Sequence, residues 1–287
     1  LSATSAHGTE YTDGVVAITG AATTITVPHN APNSLYYYCT AHSGMGSSIT
    51  GITTNEKLAD QYASNCVLAL PLVGTSSDVS VSVACTSTTK AVTTNGDPTA
   101  STTQSNFYRG SFYFDGTDDR FTTDIGSGGL PDDFCIEYWI YADNISGDRG
   151  HFHMSSTSGG LVQSTTSLMV SWGNSEGDTN MYVGNGAVTD IDDPNQNDVW
   201  KHYAVVRSSG TLKLYVNGKV AYSASNTVDM TGFRYLSISG YYNTNFLWKG
   251  YIQDFRIYTG GAKYTSNFIP ASTNPDILPD TPSGVSG

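Results

Sequence analysis

The amino-acid sequence predicts an all-β protein, an antiparallel two-sheet β-sandwich preceded by a smaller β unit. Only 13% of its residues are charged, about half the share found in globular proteins. Threonine, serine, glycine, asparagine and tyrosine replace them, and this mixture favours short strands and turns over helices. Roughly a dozen strand-like segments recur between residues 66 and 270 with no helix between them, which is typical of a sandwich.

The charge balance excludes several classes of partner. The chain has 13 Lys and Arg residues against 25 Asp and Glu residues, a formal net charge of −12. Because it contains no run rich in Lys or Arg, we expect no nucleic-acid partner. No apolar run reaches the roughly 18 residues of a membrane-spanning helix, so we expect no membrane partner.

Composition divides the chain into four parts. Residues 1–52 form a small, partial β unit, in which "TTITVPHNAPNSLYYYC" predicts strand, turn and strand. Residues 53–65 form a connector with the only helical pattern, and residues 66–270 form the sandwich. Residues 271–287 are a Pro/Ser/Gly linker tail. Since the chain begins at Leu1 and ends in this tail, we expect it to be a segment of a longer polypeptide.

The strands of the sandwich follow from local patterns. "CVLALPL", which starts at Cys66, is a short apolar strand, and "SFYFDGTDDRFTT" is predicted to be a hairpin with a turn built on Asp and Gly. In "FCIEYWIYA", which starts at Phe134, apolar residues occupy alternate positions and Glu137 lies on the opposite face. Asn217 and Gly218 in "TLKLYVNGKVAYS" predict a two-residue hairpin turn. The remaining strands are "VWKHYAVVR", "RYLSISG" and "KGYIQDFRIYTG".

The four cysteines, Cys39, Cys66, Cys85 and Cys135, form neither a zinc pattern nor a dense disulfide framework. Cys66 and Cys85 would pair if their strands were neighbours. In the alternative interpretation, the cysteines are small buried apolar residues.

Several sequence blocks, taken in order, carry a family resemblance. They are "FYRGSFYFDGTDDRFTT", "DDFCIEYWIYAD", "DVWKHYAVVRSSGTLKLYVNGKVAY" and "GYIQDFRIYTGGAKYTSNFIP". This order resembles the concanavalin A-like superfamily, and within it the laminin-G-like jelly rolls often appended to phage and bacterial surface proteins. The resemblance covers nearly all of residues 66–270 and implies a jelly-roll fold. Function stays open, because this fold hosts lectins, glycosidases, adhesion modules and structural domains.

The acids of the sequence test the glycosidase hypothesis. A retaining glycosidase needs two carboxylates about 5 Å apart, and glucanases of this fold carry E-x-D-x-x-E or a close variant on an inner strand. The corresponding strand here, "IEYWIYAD", has Glu137 alone, with Asp143 at its end. We therefore expect that the protein is not an enzyme and that it has no catalytic residues.

Sugar binding would use aromatic rings beside amide or carboxylate groups on loops. The loops "SWGNSEGDTNMYVGNG" and "GYYNTNFLW" offer this combination. The candidate contacts are Trp172, Asn174, Asp178, Asn180 and Tyr182 in the first loop and Tyr241, Tyr242, Asn243 and Asn245 in the second. Such residues are equally common at the rim of any sandwich, so both interpretations stay open.

A calcium site is a second hypothesis, because calcium takes several carboxylate and carbonyl oxygens. Two acidic segments supply such oxygens, "DGTDD" with Asp115, Asp118 and Asp119, and "DIDD" with Asp190, Asp192 and Asp193. In the alternative interpretation, Asp and Gly only shape the turns through hydrogen bonds from backbone groups to side chains.

The segment "YYYCTAHSGMG" raises the question of copper. A thiolate, an imidazole and a weak axial thioether form the ligand set of a blue-copper site. The C-x2-H-x2-M spacing resembles the ligand loop of cupredoxins, which implies Cys39, His42 and Met45 as ligands. A fourth ligand is lacking, because His29 lies near the far end of the strand from Cys39 and His7 lies in a polar loop.

The combination of parts resembles virion proteins of marine phages, cyanophages especially. In these a cupredoxin-like module is joined to laminin-G-like modules by polar linkers, as "YYYCTAHSGMG" is joined here to "NEKLADQYASNCVLALPLVG". The resemblance implies a non-enzymatic structural protein on the virion surface, a homo-oligomer that contacts other virion proteins and a host surface glycan. The alternative is a secreted bacterial lectin-like or adhesion module, and a glycoside hydrolase is the third hypothesis.

Overall fold

The structure of the chain is a computed structural model. It describes residues 2, 8, 15–16, 24–25, 34–39, 42, 44–50, 62–74, 76–77, 88–106, 110–158, 167–173, 179–184, 186–188, 191, 193–194, 196–240 and 246–270. The chain divides into two compact units, one within Leu1–Ala59 and one within Asp60–Asn274. None of the helices among these residues is long and apolar enough to cross a membrane.

The N-terminal unit contains two short antiparallel pairs. β1 (Val15–Val16) pairs with β2 (Thr24–Ile25), and β3 (Ser34–Tyr38) pairs with β4 (Gly46–Thr50). Cys39, His42 and Met45 of the Cys-His-Met motif lie between these two paired strands.

Among the described residues, fifteen strands form the two sheets of the C-terminal unit, after a 3-10 turn at Ala63–Asn65. The front sheet contains β5 (Cys66–Leu70), β7 (Thr99–Ser101), β8 (Ser111–Asp115), β10 (Phe134–Ala142), β15 (Trp200–Ser208), β16 (Thr211–Val216), β17 (Lys219–Ser225) and β19 (Lys249–Thr259). The back sheet contains β6 (Val92–Asn95), β9 (Arg120–Asp124), β11 (Arg149–Ser155), β12 (Ser167–Trp172), β13 (Thr179–Val183), β14 (Gly186–Val188) and β18 (Tyr235–Ile238).

Both sheets are antiparallel, which confirms the predicted sandwich. The front sheet has the order β17-β16-β15-β10-β19-β8-β7, and β5 also pairs with β19. The back sheet has the order β14-β13-β12-β11-β18-β9-β6. Some neighbours are consecutive in sequence, as β15 to β17 and β11 to β14 are, but β10, β19 and β8 in the front sheet and β11, β18, β9 and β6 in the back sheet are not. In these parts each sheet face gathers side chains from separate segments of the chain.

The hydrophobic core lies between the two sheets. β10 shows the predicted alternation, because every second side chain from Phe134 to Ile140 faces the core while Glu137 lies on the outer face. At the centre, the Tyr138 ring stacks on those of Tyr203 and Phe255, with ring centroids 5.7 and 5.2 Å apart. Burying a large apolar side chain contributes about 1.5–3 kcal/mol, so this core is the main source of stability.

The predicted hairpin over "SFYFDGTDDRFTT" is wrong. β8 pairs with β7 and β19 in the front sheet, whereas β9 pairs with β6 and β18 in the back sheet. The Asp-Gly turn between them therefore carries the chain from one sheet to the other. The sequence pattern indicates two strands and a turn, but it does not specify which strands pair with them.

The Asn217-Gly218 turn is confirmed. Asn217 has φ 49° and Gly218 has φ 76°, the two positive values that a tight hairpin turn requires. A Cβ on Gly218 would lie 2.0 Å from the carbonyl oxygen of Phe268. Glycine is therefore required here both for backbone conformation and for close packing.

Residues 260–270, here called the C-terminal strap, cover part of the outer face of the front sheet. Tyr264 and Phe268 stack with ring centroids 3.5 Å apart, and Tyr264 belongs to a second apolar cluster with Cys66 and Cys135. Both cysteines are buried and form no disulfide, which agrees with their interpretation as small apolar residues. Cys66 therefore forms no disulfide, and Cys85 lies outside the described residues.

Candidate functional site

A polar cleft lies on the outer face of the back sheet. Its floor is built by four adjacent strands, β6, β9, β18 and β11. Thr93 pairs with Thr122, Thr122 with Ser237, and Ser237 with His153, so these side chains form one row across the sheet. The alternate residues of β9, β18 and β11 face the core, which explains why the row is polar.

A second row runs beside the first. Asp124 pairs with Tyr235, and Tyr235 pairs with Ser155. Arg120 and Asn95, a cross-strand pair, also line the cleft. Together the two rows enclose a cavity of about 440 Å³, within the usual range of ligand sites.

The carboxylate in this cleft is neutralised. Asp124 accepts hydrogen bonds from both Nε and Nη2 of Arg234, the first at 2.8 Å. The hydrogen bonds from Arg234 and the backbone N–H of Gly126 hold the pKa of Asp124 below its ordinary value, against the opposing effect of burial. Asp124 is therefore an ionised, paired group.

Arg120 contributes a cation without a counter-ion. Its Nη2 lies 3.5 Å from the amide oxygen of Asn95, and its buried Nε has no hydrogen-bond acceptor. No carboxylate forms an ion pair with Arg120 among the residues that the structure describes. A guanidinium group in this state is suited to a bidentate contact with a carboxylate or another oxyanion.

The cleft lacks the paired acids of a retaining glycosidase over its described lining. Asp124 is the one acidic residue in that lining, and both of its oxygens bind Arg234. Two-carboxylate hydrolysis requires a second acid about 5 Å away. The described lining of the cleft does not supply that second acid.

The predicted sugar contacts do not form one site among the residues that the structure describes. Trp172 is buried in the core with its ring centroid 6.2 Å from that of Trp248, so its ring is not a surface platform. Asn180 and Tyr182 are half-buried at the alternate positions of β13 that face outward. Tyr182 pairs with Met169, which pairs with His153, so Tyr182 lies in register with the first row but outside the lining of the cleft. Asn174, Asp178, Tyr241, Tyr242, Asn243 and Asn245 lie outside the described residues.

Sequence reasoning missed the cleft itself. Half of its lining residues are Thr or Ser, and Asn95, Arg120 and His153 are added from three different strands. These residues form no local motif, because sheet pairing alone brings them together. The available signal was the alternation of polar and apolar residues in "RFTTD" and "RYLSISG".

Of the predicted calcium ligands Asp115, Asp118 and Asp119, the structure gathers the last two in one acidic cluster, together with Asp97, which was not predicted. Asp97, Asp118 and Asp119 have carboxylate oxygens within 4.8 Å of one another. The buried Asp119 accepts backbone hydrogen bonds from Asp97 at 2.8 Å and Asp115 at 2.9 Å, while Asp115 accepts one from Thr117. These bonds are those of a turn-shaping role, and calcium binding here remains a prediction.

The second acidic segment has a structural role at Asp193. Its buried carboxylate accepts hydrogen bonds from Lys201 at 2.6 Å, Thr179 at 2.6 Å and Tyr203 at 2.5 Å. Both carboxylate oxygens are thus engaged inside the protein. Asp190 and Asp192 lie outside the described residues.

The Cys-His-Met segment forms the turn between β3 and β4. Cys39 Sγ lies 3.5 Å from His42 Nδ1, and the backbone N–H of Cys39 donates to the carbonyl of Met45 at 2.8 Å. A cysteine sulfur and a histidine nitrogen that bind one tetrahedral metal through bonds of ordinary length would lie roughly 3.6 Å apart. The Met45 side chain is 59% exposed. His7 and His29 lie outside the described residues, and copper binding remains a prediction.

A comparison with solved structures finds a similar fold in a domain that was solved with a bound sugar. Domain 4 of AbnA, a GH43 extracellular arabinanase from Geobacillus stearothermophilus in complex with arabinotriose, matches with a TM-score of 0.53 and 13% identity, over 75% of this chain and 98% of that domain. At this identity the likeness concerns the fold alone.

Weaker matches have TM-scores below 0.5. Botulinum neurotoxin type C, whose cell entry depends on two ganglioside molecules, matches at 0.48 with 12% identity, over 75% of this chain and 51% of that one. The CBM40 of the Ruminococcus gnavus IT-sialidase bound to α2,3-sialyllactose matches at 0.36 with 15% identity, over 45% and 76%. No curated protein matches the chain.

The sequence itself identifies the family. Residues 114–262, more than half of the chain, match the profile of the concanavalin A-like lectin/glucanases superfamily. This span runs from β8 to the C-terminal strap and contains most strands of both sheets. The chain belongs to the concanavalin A-like lectin/glucanases superfamily.

Proposed function

We propose that this protein is a non-catalytic carbohydrate-binding protein whose back-sheet cleft binds an acidic sugar. The observation that carries the proposal is Arg120, a half-buried guanidinium with no carboxylate partner among the described residues. In a chain of net charge −12, an unpaired cation in a polar cavity favours a ligand with a carboxylate group.

The rest of the cleft suits a sugar. Thr122, Ser237 and Asn95 offer hydroxyl and amide groups, which donate to and accept from sugar hydroxyls. Tyr235 is half-buried beside them, and the Arg234 guanidinium lies 5.2 Å from its ring centroid. The cleft therefore combines one aromatic ring, several neutral polar groups and one free cation.

Isothermal titration calorimetry with two acidic and two neutral probes tests this function. We expect 3′-sialyllactose or trigalacturonate to bind and lactose and maltotriose to bind more weakly. Arg120→Gln should reduce the acidic-probe affinity at least about tenfold, because a hydrogen bond to a charged group contributes about 1.5–3 kcal/mol. Arg120→Lys should retain part of it, since lysine keeps the charge but loses the bidentate geometry.

Arg149 provides a matched control. It is also half-buried on the back sheet and lies outside the lining of the cleft. Arg149→Gln should therefore leave the affinity unchanged. If neither acidic probe binds, or if both arginine variants lose affinity equally, the proposal is wrong.

The biological setting that we propose is the surface of a phage particle, where the chain would act as a structural protein beside other virion proteins. Its support is the sequence resemblance of the Cys-His-Met segment, connector and jelly roll to virion proteins. The alternative is a secreted bacterial lectin-like or adhesion module. Mass spectrometry of purified virions should detect the chain, whereas a secretion signal in the complete reading frame would favour the bacterial alternative.

Homo-oligomer formation is part of the same proposal. Its support is analogy with fibres and surface decorations, which assemble as symmetric oligomers. Light scattering on the full-length protein should give a mass that is a multiple of the chain mass. A monomeric mass at micromolar concentration would contradict this part.

A further inference from the structure

Four aromatic side chains form a row across the outer face of the front sheet. Trp200 pairs with Tyr141, Tyr141 with Tyr251, and Tyr251 with Tyr113. These residues come from β15, β10, β19 and β8, which are adjacent in the sheet. The row, here called the aromatic row, therefore runs perpendicular to the strands, with one ring from each.

The rings contact one another and remain partly open to solvent. Centroid distances are 5.6 Å for Trp200–Tyr141, 5.7 Å for Tyr141–Tyr251 and 4.9 Å for Tyr251–Tyr113. All four residues are half-buried. The strands beneath the row are fixed by pairing on both sides, so the rings are held in place before any ligand arrives.

A groove continues from one end of the aromatic row. Its walls are Trp139 and Trp200 on one side and Phe268, Ile269 and Pro270 of the C-terminal strap on the other, around a cavity of about 580 Å³. Three amides, those of Asn106, Asn217 and Asn267, also line it. Asn106 Nδ2 and Trp200 Nε1 are buried donors with no hydrogen-bond acceptor. An acceptor oxygen in the groove would satisfy donors of this kind.

Carboxylates flank the aromatic row. The Tyr113 hydroxyl donates to Asp143 Oδ2 at 3.1 Å. Burial and the neighbouring carboxylate of Asp198 raise the pKa of Tyr141, and burial and Asp143 raise that of Tyr113 to about 12. The tyrosines are thus neutral donors at physiological pH, and the acids retain further lone pairs for ligand hydroxyls.

We infer that the aromatic row and its groove form a second glycan-binding surface, which takes an extended, neutral oligosaccharide chain. The apolar strip is one residue wide and is bordered by Asp143 and Asp198. A protein interface needs about 800 Å² on each partner, far more than such a strip offers. A linear chain of sugar rings matches it, with ring faces on the aromatics and hydroxyls on the carboxylates and amides.

The inference goes beyond the proposed function. The aromatic row lies on the front sheet and has acidic neighbours, whereas the cleft lies on the back sheet and carries a free cation. The two surfaces therefore select different ligands, and each can fail in a test without the other.

The test is a binding series with neutral chains of increasing length. We would titrate the protein with cello-, xylo- and arabino-oligosaccharides of two to six residues and follow tryptophan fluorescence and heat. Because several rings contribute in line, we expect the affinity for at least one series to rise about tenfold from dimer to hexamer. Tyr251→Ala should remove about that factor, and Tyr251→Phe, which keeps the ring, should retain the affinity.

The controls distinguish loss of the aromatic row from misfolding, from loss of the back-sheet cleft and from a change in self-association. Tyr37→Ala, an exposed tyrosine of the N-terminal unit, and Arg120→Gln should both leave neutral-chain binding intact, while Tyr251→Ala should leave acidic-sugar binding intact. The inference is overturned if no neutral chain binds or if affinity is independent of length. It is also overturned if Tyr251→Ala converts a dimer into a monomer in light scattering, which would assign the row to self-association.

Discussion

Lys263 Nζ lies 2.6 Å from Glu137 Oε1, and both side chains are buried. The contact joins the C-terminal strap to the centre of the front sheet. Tyr264 adds a hydrogen bond of 2.7 Å to the other oxygen of Glu137, and the Tyr258 hydroxyl accepts one of 2.9 Å from Lys263. The acid that alternation places on the outer face of β10 is thus an anchor for the strap.

Removal of Lys263 should destabilise the protein strongly. Lys263→Met leaves Glu137 buried without its principal cation, a change that costs about 3–5 kcal/mol. Urea denaturation measures the free energy of unfolding. Lys213 also reaches the strap, through a solvent-exposed hydrogen bond of 2.8 Å to the carbonyl of Thr265, so Lys213→Met should cost less than about 1 kcal/mol. Equal losses for the two variants would contradict the anchor.

Acid should weaken the same anchor. Burial alone would raise the pKa of Glu137, but Lys263, His202 and Arg256 outweigh it and hold the pKa well below its ordinary value. The folded state therefore binds the proton of Glu137 less readily than the unfolded state. The contribution is complete above the ordinary pKa of glutamate, about 4.3, and is lost as the pH falls through the lower folded-state pKa. Glu137→Gln should flatten the stability profile in that acidic range.

His151 should make the protein sensitive to a milder acid range. It is buried in the core with Nδ1 3.0 Å from the Tyr138 hydroxyl, and burial, with Lys201 nearby, lowers its pKa to about 3. Below the ordinary histidine pKa of about 6.5, the unfolded state takes up a proton that the folded state does not. Stability should therefore fall from pH 6.5 towards pH 4. His151→Gln should reduce this slope, and an unchanged slope would refute the assignment.

The two interpretations of the acidic turn predict different effects for substitutions of Asp119 and Asp118. If Asp119 shapes the turn, Asp119→Ala should cost about 1–3 kcal/mol because two backbone N–H groups lose their acceptor. Asp118 is exposed, so Asp118→Ala should change stability by no more than about 0.5 kcal/mol. A calcium site would instead raise the melting temperature when calcium is added, and Asp118→Ala would remove that rise.

Copper binding at the β3–β4 turn has a spectroscopic test. If Cys39, His42 and Met45 hold copper, the full-length protein should show an intense thiolate-to-copper absorption. Cys39→Ser should abolish the band, and Met45→Leu should shift it without loss of the metal. A colourless protein that takes up no copper would contradict the prediction.

The fold could be predicted from the sequence because its signals are local. The alternation in β10 and the Asn217-Gly218 turn each fix a face or a turn without knowledge of the partner strand. The "SFYFDGTDDRFTT" hairpin was wrong for the same reason, since a turn signal does not say whether the next strand stays in the same sheet. The local sequence does not show which distant strands pair with β8 and β9, and that information was missing.

The candidate site was less predictable because it is assembled by sheet register. In the sequence, Arg120, Thr122 and His153 have the pattern of ordinary outward-facing strand residues. They come together only because β18 pairs with β9 on one side and with β11 on the other. Trp172 shows the converse, because a loop-like sequence around it indicated a surface ring while its strand position buries it in the core. Aromatic content alone therefore could not distinguish platform from core.

The position of a bound acidic sugar is the most direct test of the central claim. A crystal structure of the protein with 3′-sialyllactose or trigalacturonate should place the ligand carboxylate within hydrogen-bonding distance of the Arg120 guanidinium, over the row of Thr122, Ser237 and His153. A ligand bound elsewhere on the sandwich, with the cleft empty at saturating concentration, would contradict the account.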